Sequence, residues 1–275
     1  MLRRSQHKII PKVNHSNYFQ NKVVVITGAS SGIGRELAVR FANLGCKLVL
    51  AARNENKLAD VKQQIDAGGN DVIAIKADVS VEQDVTTIVN STLEKFGQID
   101  IFISNAAQYI QNPIHDMAID DYRRSFDINL FGALYAVKQA LPIMAKHTSG
   151  HFVFINSLGA KKGIIGDAPY VAAKSALDGF ADVLRQEVKQ LGISVSSVFP
   201  GRVETPMIQD LEVPWISPKI SVKNVADAVI KGIYKNKPII VVPKMFYMLG
   251  AINNLSPRFL DWLYKIFRLE GRKIK

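Results

Sequence analysis

Tyr170 and Lys174 stand four positions apart in the stretch YVAAK, residues 170–174. On an α-helix such positions share one face, a turn apart, so a phenol and an ammonium can meet at one site. A free phenol titrates near ~10, and a fixed ammonium about 5 Å away at an effective dielectric of about 20 favours the phenolate by roughly 3 kcal/mol, lowering the pKa by about two. The pair is therefore expected to bring a tyrosine within reach of acid–base work near neutral pH. The same spacing suits a half-exposed tyrosine beside a solvated lysine, so the elements around it must decide.

Those elements alternate. Short apolar runs (KVVVITG, KLVLAA, DVIAIKAD, IDIFISNA, GHFVFINS, ISVSSVFPG and PIIVVP) are separated by helical patterns over residues 34–44, 55–67, 81–96, 121–146, 168–190 and 222–236. Continuous apolar strands between helices imply a parallel sheet covered on both faces. The expected class is α/β: a Rossmann-like, doubly wound, seven-stranded parallel sheet forming a single domain over residues 21–243. Residues 1–20 read as a basic tail and residues 244–275 as an amphipathic basic extension. The longest irregular segment, residues 202–221, carries Pro206, Pro214 and Pro218 and has the length of a lid.

The first strand runs into TGASSGIG, residues 27–34, and then into a helical pattern starting near Arg35. The glycine spacing is not G-x-G-x-x-G, but strand, glycine turn and helix N-terminus are the context that binds phosphate. Gly28 permits the tight turn, Gly32 lets backbone approach a pyrophosphate, and Gly34 lets the helix pack close to the sheet. The second strand ends at Ala52 and Arg53, where a carboxylate would hold a ribose 2′-hydroxyl and an arginine accommodates a 2′-phosphate. NADP(H) is thus favoured over NAD(H). Asp78, at the end of the third strand, either accepts a hydrogen bond from an adenine amino group or caps the next helix.

TGASSGIG, ADVS, SNAA, INS, YVAAK and PGRVETP, in that order and at these separations, resemble the short-chain dehydrogenases/reductases over roughly residues 20–243. The resemblance implies a catalytic tetrad: Tyr170 as acid–base, Lys174 lowering its pKa and binding the nicotinamide ribose, Ser157 holding the substrate oxygen, and Asn129 holding a water linked to the lysine. It implies cofactor contacts at Gly28, Ser30, Ser31, Gly32, Ile33, Gly34, Arg53, Asp78, Val79, Asn105, Tyr170, Lys174, Val203 and Thr205, and no metal. Ala107 departs from the family, which more often has glycine there; its methyl is expected to crowd the adenosine ribose slightly.

The expected reaction is hydride transfer between NADP(H) and a lipophilic ketone or secondary alcohol of steroid, retinoid, long-chain 3-keto or ketosphingoid type. A 3-oxoacyl thioester reductase and a non-catalytic NADP(H) sensor or scaffold are the alternatives. The loop after Thr205, with Met207, Ile208, Leu211, Val213, Trp215 and Ile216, suggests an apolar pocket. The family resemblance implies a homodimer or homotetramer.

The net charge of +11 sits at the ends: residues 1–22 hold five bases and no acid, and residues 258–275 six bases against two acids. Basic ends on a near-neutral body fit tails or an anionic membrane surface better than nucleic acid, for which no groove-reading motif is present. Phe259, Trp262, Leu263, Ile266 and Phe267 repeat at helical spacing near Arg258, Lys265 and Arg268, giving a stripe that can pack over the cleft, lie on a membrane or meet a second subunit. Cys46, the only cysteine, cannot form an internal disulfide. No stretch approaches the ~18 consecutive apolar residues of a spanning helix, and no secretory signal is evident. The expected location is cytoplasmic, peripheral to a membrane if the tail binds one.

Overall fold

The computed structural model describes residues 15–214, 217–267, 269 and 272–273. The basic residues Arg3, Arg4, Lys8 and Lys12, the loop residues Trp215 and Ile216, and Arg268 and Lys275 of the tail lie outside the described residues.

In chain order the elements are α1 (His15–Phe19), β1 (Val23–Thr27), α2 (Gly32–Asn43), β2 (Lys47–Ala52), α3 (Glu55–Asp66), β3 (Val72–Lys76), α4 (Glu82–Phe96) and β4 (Ile101–Ser104). There follow α5 (Ile119–Phe126), which runs through a π-turn at Asp127–Phe131 into α6 (Gly132–Lys146), then β5 (Gly150–Ile155), α7 (Ala168–Glu187), β6 (Ile193–Pro200), β7 (Leu211–Glu212) and α8 (Val222–Tyr234). β8 (Ile239–Val242), α9 (Leu249–Leu255), α10 (Pro257–Ile266) and β9 (Arg272–Lys273) complete the order.

Seven strands form one parallel sheet in the order β3-β2-β1-β4-β5-β6-β8, as the alternation of apolar runs predicts. Period-two geometry sorts each strand onto two cores. Val24 and Ile26 of β1, with Val153 and Ile155 of β5, meet Leu37 and Phe41 of α2, Leu58 of α3 and Val229 of α8. Val25 of β1, with Phe152 and Phe154 of β5, meets Ile88 of α4, Ala136 and Met144 of α6 and Leu177 of α7. Because both faces are covered, all five residues of β1 are buried, which is why the strands read as unbroken apolar runs.

The helix boundaries follow local chemistry. Asn54 caps α3 by accepting from the Lys57 N–H at 3.0 Å, and Gly97 ends α4 with φ +75°. The run Ile119–Lys146 is 28 residues long with a mean hydropathy of 1.2 in its most apolar window, long and apolar enough to cross a membrane by those measures. It is not a run of consecutive apolar residues, because Asp120, Asp121, Arg123, Arg124, Asp127 and Lys138 interrupt it. Its burial explains its composition: Ala133, Ala136, Ala140 and Met144 pack against the sheet.

β1 and β4 are neighbours, and the chain leaves them in opposite directions across the sheet. Their carboxyl ends therefore diverge and leave a crevice, the place where this architecture admits a ligand.

Candidate active site

The crevice is a cavity of about 490 Å³. Every sequence-predicted site residue except Gly34 and Asn129 lines it, from Gly28 and Arg53 at one end to Ser157 and Tyr170 at the other.

The phosphate-facing end begins where β1 ends. Asn105 pins the two strand ends together: its Nδ2 donates to the Thr27 and Gly28 carbonyls at 2.9 and 3.2 Å, and its backbone N–H donates to Thr27 Oγ1 at 3.0 Å. Gly28 takes φ +65° and Gly32 φ +54°, conformations that glycine adopts without strain. α2 starts at Gly32, three residues before the expected position, because the glycines enter its first turn rather than precede it. Ser31 provides no side-chain cap, so the first N–H groups of α2 keep their hydrogen-bonding capacity for an anion in the cavity. A methyl at Gly34 would stand 2.4 Å from the Gly28 carbonyl oxygen. Its role is thus close packing behind the cavity. Across the crevice, the methyl of Thr205 lies 3.0 Å from where a Gly32 side chain would begin, so this cradle admits backbone only.

Arg53 follows β2 with its side chain largely exposed, and its Nη1 is 3.8 Å from Asp78 Oδ2. Asp78 Oδ1 accepts from the Ser80 N–H at 3.0 Å and hydroxyl at 2.7 Å. Asp78 does not cap α4, whose N-cap is Val81 without a side-chain hydrogen bond; its Oδ1 closes the turn before that helix, and its Oδ2 faces Arg53. Ala107 also lines the cavity.

At the other end β5 and α7 supply the chemistry. Ser157 follows β5 by two residues and caps a short 3₁₀ turn through its Oγ, which accepts from the Gly159 N–H at 3.0 Å. Tyr170 and Lys174 share one face of α7, with Lys174 Nζ 5.8 Å from the Tyr170 ring centroid. Lys174 is buried and donates to the Ile155 carbonyl at 2.8 Å.

Burial pushes the Tyr170 phenol up to about 12; a hydrogen bond from the Ser157 hydroxyl pulls against this, and the Asp167 carboxylate adds to it. Burial also takes the Lys174 ammonium down to about 7. The expected lowering of the phenol pKa is therefore reversed, and the physical reason is desolvation. Tyr170 is consequently a protonated donor at neutral pH.

Asn129 sits in the π-turn, its Nδ2 donating to the Gln108 carbonyl at 2.9 Å and Ser125 Oγ at 3.1 Å, and its Oδ1 accepting from the Gln108 N–H at 3.2 Å. It shares with Lys174 the wall of a second cavity of about 10 Å³, about the space of one water.

Sequence reasoning missed a polar cluster at the substrate end. Tyr109 donates its hydroxyl to Asp167 Oδ1 at 2.6 Å, and Gln111 Nε2 donates to the same oxygen at 3.1 Å. The Tyr109 ring meets the Tyr170 ring edge-on at 5.3 Å. Asp167, in GDAPY at the start of α7, has the sequence signature of a helix cap but makes no side-chain cap bond. Arg202 is partly buried, donating to Ser217 Oγ at 3.3 Å and to the Leu269 carbonyl. Only the Asp-x-Pro helix start and the arginine inside PGRVETP could have flagged this cluster.

The C-terminal extension packs over this end. Leu249 of α9, Tyr264 of α10 and Leu269 line the cavity, Lys162 pairs with Asp261, and β9 pairs antiparallel with β7. Of the three placements open to the tail, coverage of the cleft is present. The face that packs is Leu260 with Tyr264, not the stripe read from sequence, most of which is exposed.

The sequence matches the short chain dehydrogenase family over residues 22–213. The chain belongs to that family. An uncharacterized oxidoreductase of Staphylococcus saprophyticus is 36% identical over 213 residues, which span 77% of this chain and 90% of the relative. A short chain dehydrogenase/reductase from Burkholderia phymatum, solved in complex with NAD, aligns with a TM-score of 0.80 at 24% identity over 88% of this chain and 96% of its own, a likeness of fold. The solved structure of levodione reductase aligns with a TM-score of 0.76 at 28% identity, covering 82% of this chain and 96% of its own. As a short-chain dehydrogenase, the protein is an oxidoreductase of a nicotinamide-binding fold.

Its residues fit such a dinucleotide. The glycine cradle that a single Cβ would fill, the uncapped start of α2, and Asn156, whose buried Nδ2 has no partner beside the cavity, are complementary to phosphate and carboxamide.

Proposed function

We propose that this short-chain dehydrogenase reduces a lipophilic ketone with NADPH, and in reverse oxidises the secondary alcohol. The observation that carries the reading is the meeting of Ser157, Tyr170 and Lys174 at one end of a cavity whose other end is a glycine cradle with Arg53 and no acid at the end of β2.

Gly28, Gly32 and the start of α2 would hold the pyrophosphate, Arg53 the 2′-phosphate, and Val203 with Thr205 the carboxamide end. When bound, the dinucleotide supplies a hydride to the carbonyl carbon. Ser157 donates a hydrogen bond to the carbonyl oxygen, and Tyr170, protonated at neutral pH, transfers its proton to that oxygen as negative charge develops there. Lys174, held by the Ile155 carbonyl, stands one turn behind the phenol, and a water held in the small cavity that it shares with Asn129 would give a proton back to Tyr170 by way of the lysine. Met207, Ile208, Leu211 and Leu249 line the substrate end, which supports an apolar substrate.

The test follows loss of reduced-nicotinamide absorbance with NADPH and with NADH against long-chain ketones, 3-oxosteroids, retinal and short 3-oxoacyl thioesters. Turnover of a lipophilic ketone with NADPH preferred supports the reading. Preference for a short thioester, or NADPH binding without turnover of any ketone, overturns it.

A further inference from the structure

Nine of the nineteen large apolar side chains that stand exposed among the described residues fall between Met245 and Phe267. Met245 is 77% exposed, Leu255 88% and Trp262 56%. A patch of this kind marks an interaction surface.

The geometry of α10 shows what it suits. At 3.6 residues per turn, Phe259, Trp262 and Ile266 project along one arc, Arg258 and Lys265 fall on its immediate flank, and Leu260 with Tyr264 turn to the opposite side. Leu260 is buried and Tyr264 lines the substrate cavity, so the exposed arc looks away from the protein. The Phe259 and Trp262 rings lie stacked at 5.9 Å, forming a flat aromatic plate. Between residues 244 and 267 the bases are Lys244, Arg258 and Lys265, all exposed, and the only acid is Asp261, which Lys162 already neutralises.

We propose that the outer face of α9 and α10 docks on an anionic phospholipid bilayer, the apolar arc entering the interface and Arg258, Lys265 and Lys244 meeting the headgroups. An aromatic and aliphatic arc beside cations, without a free acid, is complementary to that surface. A second copy of the chain is a poorer occupant, because a two-fold contact through this face would set like cations against each other. The same two helices wall the substrate cavity from inside, so a membrane-dissolved ketone would reach Tyr170 across the docked edge. This purpose rests on the lipophilic-substrate reading; the test does not.

The full-length protein is sedimented with vesicles of phosphatidylcholine alone and of phosphatidylcholine with phosphatidylglycerol, and the bound fraction is read without any turnover. The expected result is binding to the anionic vesicles that weakens with salt and falls about tenfold or more in the Phe259→Ser, Trp262→Ser, Ile266→Ser variant. The Arg258→Glu, Lys265→Glu variant, which touches only exposed charges, is expected to lose the anionic preference. Melting temperature and NADPH binding check that both variants are folded. No binding to anionic vesicles at low salt, or binding that both variants leave unchanged, overturns the proposal. So does conversion of a dimer to a monomer by the triple substitution on size exclusion, which would assign the patch to a subunit contact.

Discussion

The Asp167 carboxylate accepts the Tyr109 hydroxyl at 2.6 Å, across 58 positions of sequence, while the Tyr109 ring rests edge-on against Tyr170. A buried anion is thereby held close to the proposed acid, where it favours the neutral phenol. Asp167→Asn keeps an acceptor for Tyr109 but removes the charge, so the Tyr170 pKa falls. Reduction needs the protonated phenol, and the alkaline limb of kcat/KM is therefore expected to move to lower pH. A pH–rate profile with the limb unmoved would show that Asp167 acts through packing alone.

Tyr170→Phe removes the transferable proton and leaves the ring. Reduction is expected to slow by about 10²–10⁴, the usual contribution of a positioned acid, with NADPH affinity nearly unchanged. Single-turnover rates and a fluorescence titration of NADPH separate the two.

Gly34→Ala places a methyl 2.4 Å from the Gly28 carbonyl oxygen and 2.5 Å from Asn105 Nδ2. Backbone cannot yield there without opening the phosphate cradle, so dinucleotide affinity is expected to fall by tenfold or more and the melting temperature with it. Calorimetric titration and thermal unfolding read both.

Arg53→Ala should weaken NADPH by roughly 10- to 100-fold, the worth of one or two charge-assisted hydrogen bonds, and leave NADH within about twofold. Equal losses for both dinucleotides would place Arg53 outside the 2′-phosphate site.

Acid stability should be sensitive to His151, on β5. Ser196 gives its hydroxyl proton to the Lys237 carbonyl at 2.6 Å, so its oxygen accepts from His151 Nε2–H at 2.8 Å. Burial lowers the imidazole pKa to about 4. An unfolded histidine titrates near ~6.5, so the unfolded state binds the extra proton between these values and stability falls as pH drops from about 6.5 to 4, by about 3 kcal/mol. Urea midpoints of His151→Asn should show a flatter pH dependence than those of the parent chain, from a lower starting point at neutral pH.

The fold was largely legible in sequence because its signals are local. A strand buried on both faces must be apolar throughout, as VVVIT and KLVLAA are, and the glycines of TGASSGIG declare a turn that no side chain fits. Two residues of the proposed site came from the same kind of signal, since a helical spacing of four sets Tyr170 beside Lys174 whatever surrounds them, whereas Ser157 and Asn129 were reached only through the family resemblance. Four residues is also as far as such a signal reaches. Whether Tyr170 is a phenol or a phenolate depends on water excluded by segments far apart in the chain, and burial reversed the sign that the Tyr–Lys pair alone suggested. The Tyr109–Asp167 contact, the close approach of Thr205 to Gly32, and the choice of which face of α10 packs are likewise set by elements meeting across the sheet. Periodicity states that a stripe is apolar; only the position of neighbouring elements decides whether protein or solvent lies against it.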